Sequence, residues 1–141
     1  MNERQHLLRA VIDNPEDDSA RLAYSDWLDE HADTEADRAR AAFIRLQCAA
    51  ARLDRYDLRR LDLDGQAEAL LEAHGNTWLA GLKNLGINQH YSSFDRGFPE
   101  VAMVSVNDLL DRGDELWAVS TFRRLTLWEG WRGDSDESRF P

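Results

Sequence analysis

A chain of 141 residues, 43% hydrophobic and 31% charged, is long enough for one self-supporting core, and one domain is its default organisation. Its 27 acidic against 17 basic side chains leave a formal charge of −10, which argues against a surface built to neutralise nucleic-acid phosphates. No stretch approaches the roughly 20 apolar residues of a membrane span, and a single cysteine, Cys48, rules out an internal disulfide or a cysteine zinc site made by this chain alone.

A reducing cytoplasm is the expected compartment, and Met1 to His6 lack the basic-then-apolar order of a signal peptide. Lys83 is the one lysine, so nearly all the positive charge is arginine, whose planar fork suits bidentate carboxylate contacts.

In chain order, Leu7, Leu8, Val11 and Ile12 predict a short amphipathic helix from Glu3 to Asp13, closed by Asn14-Pro15. Glu16-Asp17-Asp18-Ser19 supplies caps and first-turn acids for a second helix. On that helix Ala20, Tyr24, Trp27, Leu28 and His31 share one face, while Asp26, Asp29, Glu30 and Asp33 share another. A third helix, Glu35 to Leu53, offers Phe43, Ile44, Leu46, Cys48 and Leu53 to the core and carries Arg38, Arg45 and Arg52 at seven-residue spacing. The acidic and basic stripes predict an ion-pair ladder between antiparallel neighbours; the alternative is an acidic stripe left free for a partner.

Arg55 to Asp64 reads as a charged connection or a frayed helix, with Gly65 an interruption. Leu63, Ala67, Leu70, Leu71 and His74 then resume helical spacing, with Gly75 as the stop and Asn76 capping a short helix that ends at Gly86. Beyond Gly86 the period changes. Ile87 to Phe94 and Phe98 to Val106 flank the turn signal Asp95-Arg96-Gly97, predicting a hairpin. Asn107-Asp108 opens a short helix ending at Gly113, Leu116 to Val119 is ambiguous, and Phe122 to Trp128 reads as a last strand. Residues 130–141 read as a polar, loose tail. The expected fold is α+β in a single domain, 1–129: a bundle of four or five helices (1–86), then a small antiparallel sheet and a terminal repeat-like strand (87–129).

Candidate chemistry is sparse. The acids at Asp26, Asp29, Glu30 and Asp33 project outward in a row instead of converging on a cation, and the calcium-loop pattern is missing. His6, His31, His74 and His90 are scattered without zinc spacing, and Cys48 sits mid-helix among apolar neighbours as a small hydrophobe. Ser92, Ser93 and Ser105 lack a nucleophile elbow, and no phosphate-cradling loop occurs. No cofactor or metal is expected. Trp117, Trp128 and Trp131, with Phe122 and Phe140, either complete the core or form an exposed aromatic edge.

Two runs, Arg21-Leu22-Ala23-Tyr24-Ser25-Asp26-Trp27-Leu28-Asp29-Glu30 and Ala42-Phe43-Ile44-Arg45-Leu46-Gln47, resemble the signature of the bacterial repeat-companion domain family. Trp78-Leu79, Phe94-Asp95-Arg96-Gly97-Phe98 and Phe122-Arg123-Arg124-Leu125-Thr126-Leu127 agree with it. The family occurs in planctomycetes and myxobacteria, typically ahead of leucine-rich-type repeats, and brings no catalytic residue or ligand to carry over. Here the terminal run matches only the opening of such a repeat, with Gly130 where Asn or Cys would complete it.

The expected function is a non-enzymatic interaction or repeat-capping module. Phe122 and Trp128 would be its anchors, Asp26, Asp29, Glu30 and Asp33 its steering charges, and another protein or an adjoining repeat array its partner. Nucleic acid and membrane are not expected partners, and the sequence does not set the oligomeric state. The rivals are an acidic inhibitor of the antitoxin type that blocks a basic partner, and a small hydrolase using Asp, Glu and His from different helices.

Overall fold

The protein is described by a computed structural model covering residues 2–119 and 121–129, with the main chain alone over 88–92. The tail expected at 130–141, with Trp131 and Phe140, lies outside the described residues. The fold is α+β: helices α1 (Glu3–Asp13), α2 (Asp18–His31), α3 (Glu35–Ala51) and α4 (Leu58–Lys83), then strands β1 (Ile87–Asp95) and β2 (Phe98–Ser105), helix α5 (Val106–Val119) and strand β3 (Arg124–Trp128).

Short polar side chains start each of the first four helices by accepting an otherwise unpaired amide hydrogen. Asn2 forms a reciprocal box with Gln5, Asp17 accepts from Ser19, Thr34 from Asp37 and Asp57 from Arg59. Each such cap stabilises its helix by about 1 kcal/mol. α5 is capped by Ser105, not by the expected Asn107-Asp108 pair: Ser105 Oγ accepts from the Asp108 amide at 3.1 Å and donates to the Asp108 carboxylate at 2.6 Å.

Three further expectations are corrected. α4 is one helix of 26 residues that runs through both Gly65 and Gly75, so there is no separate helix capped by Asn76. A helical glycine costs only about 1 kcal/mol, and Gly75 is buried, where a Cβ would stand 2.9 Å from Leu71 Cδ1. α5 likewise continues through Gly113 to Val119, which settles the ambiguous 116–119 segment as helix. The third correction concerns strand direction. The sheet has the order β1-β2-β3; β1 and β2 form the antiparallel hairpin, but β3 runs parallel to β2. A parallel return needs a crossover of a dozen or more residues, and α5 at its full length supplies it.

Two apolar cores result. The first joins Val11, Tyr24, Leu28, Ala41, Ile44 and Cys48 of α1 to α3 with Phe98 of β2. The second joins Ile87, Ala102 and Val104 of the hairpin with Leu116 of α5 and Phe122 before β3.

Candidate interaction surface

The hairpin turn is docked on the helices by arginines. Arg96 and Gly97 are the two residues between β1 and β2, and both have positive φ (45° and 87°), as a tight two-residue hairpin turn with right-handed strand twist requires. Arg21, only 2% exposed, donates from Nη1 to the Asp95 carbonyl at 2.6 Å and from Nη2 to the Pro15 carbonyl at 2.9 Å. Arg96 reaches back to the same loop, donating to the Pro15 carbonyl at 2.9 Å and to Asp18 at 2.8 Å. Arg40 donates to the Gly97 carbonyl at 2.9 Å, and Gln47 accepts from the Gly97 amide at 2.7 Å.

Arg40 lies among three rings, its guanidinium carbon 5.6, 5.8 and 5.2 Å from the centroids of Trp78, Phe94 and Phe98. Burial pushes its pKa down to about 10, so it stays a cation at neutral pH and the ring faces attract it. Trp78 is held in turn by its indole N–H, which donates to the Ala36 carbonyl at 2.8 Å, and by Phe43 at 4.9 Å between centroids. The runs around Arg21, Phe43, Trp78 and Arg96, far apart in sequence, therefore meet at one joint between helices and sheet.

Sequence reasoning missed Arg21, Arg40 and Arg96 in this role. The signal was present: Arg21, Tyr24, Ser25 and Leu28 stand at i, i+3, i+4 and i+7, and these four are the buried residues of α2. The expected stripe is thus rotated, with Trp27 half-buried and His31 exposed. His31 stacks on Trp27 at 4.6 Å and its Nδ1 is 3.0 Å from the Trp27 carbonyl.

The acidic stripe divides. Arg45 forks between Asp26, at 2.8 Å, and Asp29, and these hydrogen bonds raise the arginine's pKa. Arg52 reaches Asp18 at the other end of α2, at 3.4 Å, and Arg38 donates to the Ala32 carbonyl. The two helices therefore share one forked rung at the predicted acids, and the adjoining arginines go elsewhere. Glu30 and Asp33 are exposed, and no ion pair involves them among the described residues.

The expected anchors also part company. Phe122 is 7% exposed and its ring belongs to the second core. Trp128, at the end of β3, is 40% exposed, and Leu127 beside it 51%. β3 is tied to the molecule at its entry: Thr121 Oγ1 donates to the Pro99 carbonyl at 2.6 Å, the Arg123 amide donates to the Glu100 carbonyl at 2.9 Å, and the Arg123 guanidinium pairs with Glu16. That pairing, chiefly through the hydrogen bond, holds the Glu16 carboxyl below the usual carboxylate range. The far side of β3 carries no strand among the described residues.

Cys48 is buried, its thiol 4.0 Å from the Arg96 carbonyl, and burial pushes its pKa up to about 11. Such a thiol is a packing group, since the thiolate is the reactive form. Among the described residues no three His, Cys, Asp or Glu side chains are grouped to hold a metal ion, and no helix is long and apolar enough to cross a membrane.

Comparison with protein-family models, with curated proteins and with solved structures finds no match to this chain.

Proposed function

We propose that the chain is a protein-interaction module of the repeat-companion type, which caps a stack of leucine-rich-type repeats through its terminal strand. One observation carries this reading: among the described residues β3 is an edge strand, and it runs parallel to its neighbour. The strands of a repeat horseshoe stack in parallel from one repeat to the next, and an uncapped array loses stability at its end repeat. An open parallel edge already anchored to a folded domain is the shape such an end requires. The convergence of the four sequence runs on the helix–sheet joint supports the same reading, because it makes them the parts that hold β3's platform rigid. A single cysteine, free and unable to form an internal disulfide, suits a reducing compartment, and we take the bacterial cytoplasm as the module's place of work.

The reading as an acidic inhibitor draws less support, because Arg45 already occupies two of the four carboxylates it would use. The test is thermal unfolding of a consensus repeat array, lacking its own N-terminal cap, with and without this chain fused ahead of it. The capped array is expected to melt at a higher temperature, and Leu127→Asp in the module is expected to abolish the gain. An array that melts at the same temperature with and without the module overturns the reading.

A further inference from the structure

β3, which carries no further strand among the described residues, and one flank of α5 both expose apolar side chains. α5 turns Leu109 and Leu116 to the sheet. Its flank bearing Asp108 and Arg112 faces the segment before β1: a Cβ on Gly86 would lie 2.5 Å from Asp108, and Arg112 donates to the Asn84 carbonyl. At about 100° per residue, Leu110 stands roughly 200° from Asp108 around the helix, and Trp117 lies two turns beyond Leu110 on the same line. That flank therefore faces away from β1, toward the β3 side of the sheet. Leu110 is 78% exposed and Trp117 51%.

The strand tells the same story. Val104 of β2 and Leu127 of β3 are register partners in a parallel pair, so their side chains share a face; Val104 is fully buried, yet Leu127 is half exposed. Ala102 and Leu125 are related in the same way, the first fully buried and the second partly. Each β3 residue follows its β2 partner by 23 residues, inside the about 20–29 residues of a leucine-rich repeat. β2 and α5 thus make one strand–helix coil, β3 begins the next, and the exposed apolar groups are those a following coil would cover.

We propose that β2, α5 and β3 are the first coil of a strand–helix stack, and that the partner is a further strand–helix unit with the same 23-residue advance. Its strand pairs parallel to β3, its inward residues cover Leu127, and its helix packs on Leu110 and Trp117. This rests on the capping reading and adds a register to it: the module is the first member of the stack and not a lid laid across its end.

The test uses the full chain joined by a flexible linker to a soluble consensus array of about four leucine-rich repeats without an N-terminal cap. Leu127→Cys is paired with a cysteine at the corresponding position of the first array strand, and Trp117→Cys with one on the first array helix; Cys48 is buried and stays out of exchange. Both pairs are expected to close under mild oxidation, and β3 amides of the cysteine-unmodified fusion are expected to exchange hydrogen at least about tenfold more slowly than in the chain alone. If the array is stabilised but either pair stays open, or β3 exchange is unchanged, the in-register stack is wrong while capping stands. If the array is not stabilised, both fall. If Leu127→Cys closes on a second copy of the chain instead, the edge is a self-association surface and the proposal is overturned.

Discussion

Gly97 and Ile44 are in direct apposition: a Cβ on Gly97 would stand 2.3 Å from Ile44 Cγ1 and 2.6 Å from Ile44 Cα. The turn thus touches the α3 main chain itself, and trimming the isoleucine side chain could not make room. Gly97→Ala meets this clash and the positive φ of 87° together. It is expected to cost about 3 kcal/mol or more, read as a lower urea midpoint at unchanged slope. A midpoint within error of the parent would mean that the turn is not seated on α3.

Arg21 is the buried cation of the joint, and its pKa is lowered chiefly by burial, with neighbouring Arg96 adding to the effect. Its hydrogen bonds bridge residues 74 positions apart in the chain. Arg21→Met removes the guanidinium donor to the Asp95 carbonyl and one of the two donors to the Pro15 carbonyl, leaving Arg96 as the other, and is expected to destabilise by about 1–3 kcal/mol. Arg21→Lys keeps the charge but cannot fork, and is expected to recover less than half of the loss. Equilibrium denaturation of the two variants checks both the size and the order.

The surface rung is expected to be weak, since Arg45, Asp26 and Asp29 are all well exposed. Arg45→Ala should cost less than about 1 kcal/mol, and high salt should shrink the difference. Asp26→Lys should lower the melting temperature measurably, whereas Glu30→Lys should leave it nearly unchanged. Equal losses at Asp26 and Glu30 would show that the ladder extends further along α2 than its single fork.

Cys48 gives a pH dependence with a defined sign. Burial raises its pKa in the folded chain from the ordinary 9.0 to about 11, so folding favours the protonated thiol. Its contribution is fully present below about pH 9 and is lost as pH rises through about 11, on the order of 2–3 kcal/mol. Denaturation of the parent and of Cys48→Ala across this window isolates it, because every other ionisable group, Arg40 included, is common to both. The parent is expected to lose stability relative to the variant; a constant difference would mean that the thiol is solvated.

The first three helices were readable because their signals are local. Asp17 and Thr34 are caps that act within three residues, and the apolar spacing of Val11, Tyr24 and Ile44 reports a face without reference to what covers it. Gly65, Gly75 and Gly113 misled for the opposite reason, since a glycine's modest helix penalty is outweighed by packing that the sequence does not display. Gly113 did not decide the sheet direction: the connection from Ser105 to Arg124 is long enough for a parallel return wherever the helix ends, and only the pairing in the assembled sheet shows β3 running parallel to β2.

The sequence by itself determined the α+β class, the succession of a helical part and then a hairpin, the hairpin turn at Arg96-Gly97 and the apolar character of the helical core, all of which follow from periods and caps a few residues long. Only the tertiary structure decided that Arg21, Arg40 and Arg96 are the clasp of that turn, that one arginine occupies Asp26 and Asp29, that Phe122 is core while Trp128 remains at the surface, and that the last strand is parallel. Each of these depends on where a charge or a strand finds its partner across tens of residues, and partner choice is set by geometry and desolvation in the assembled fold.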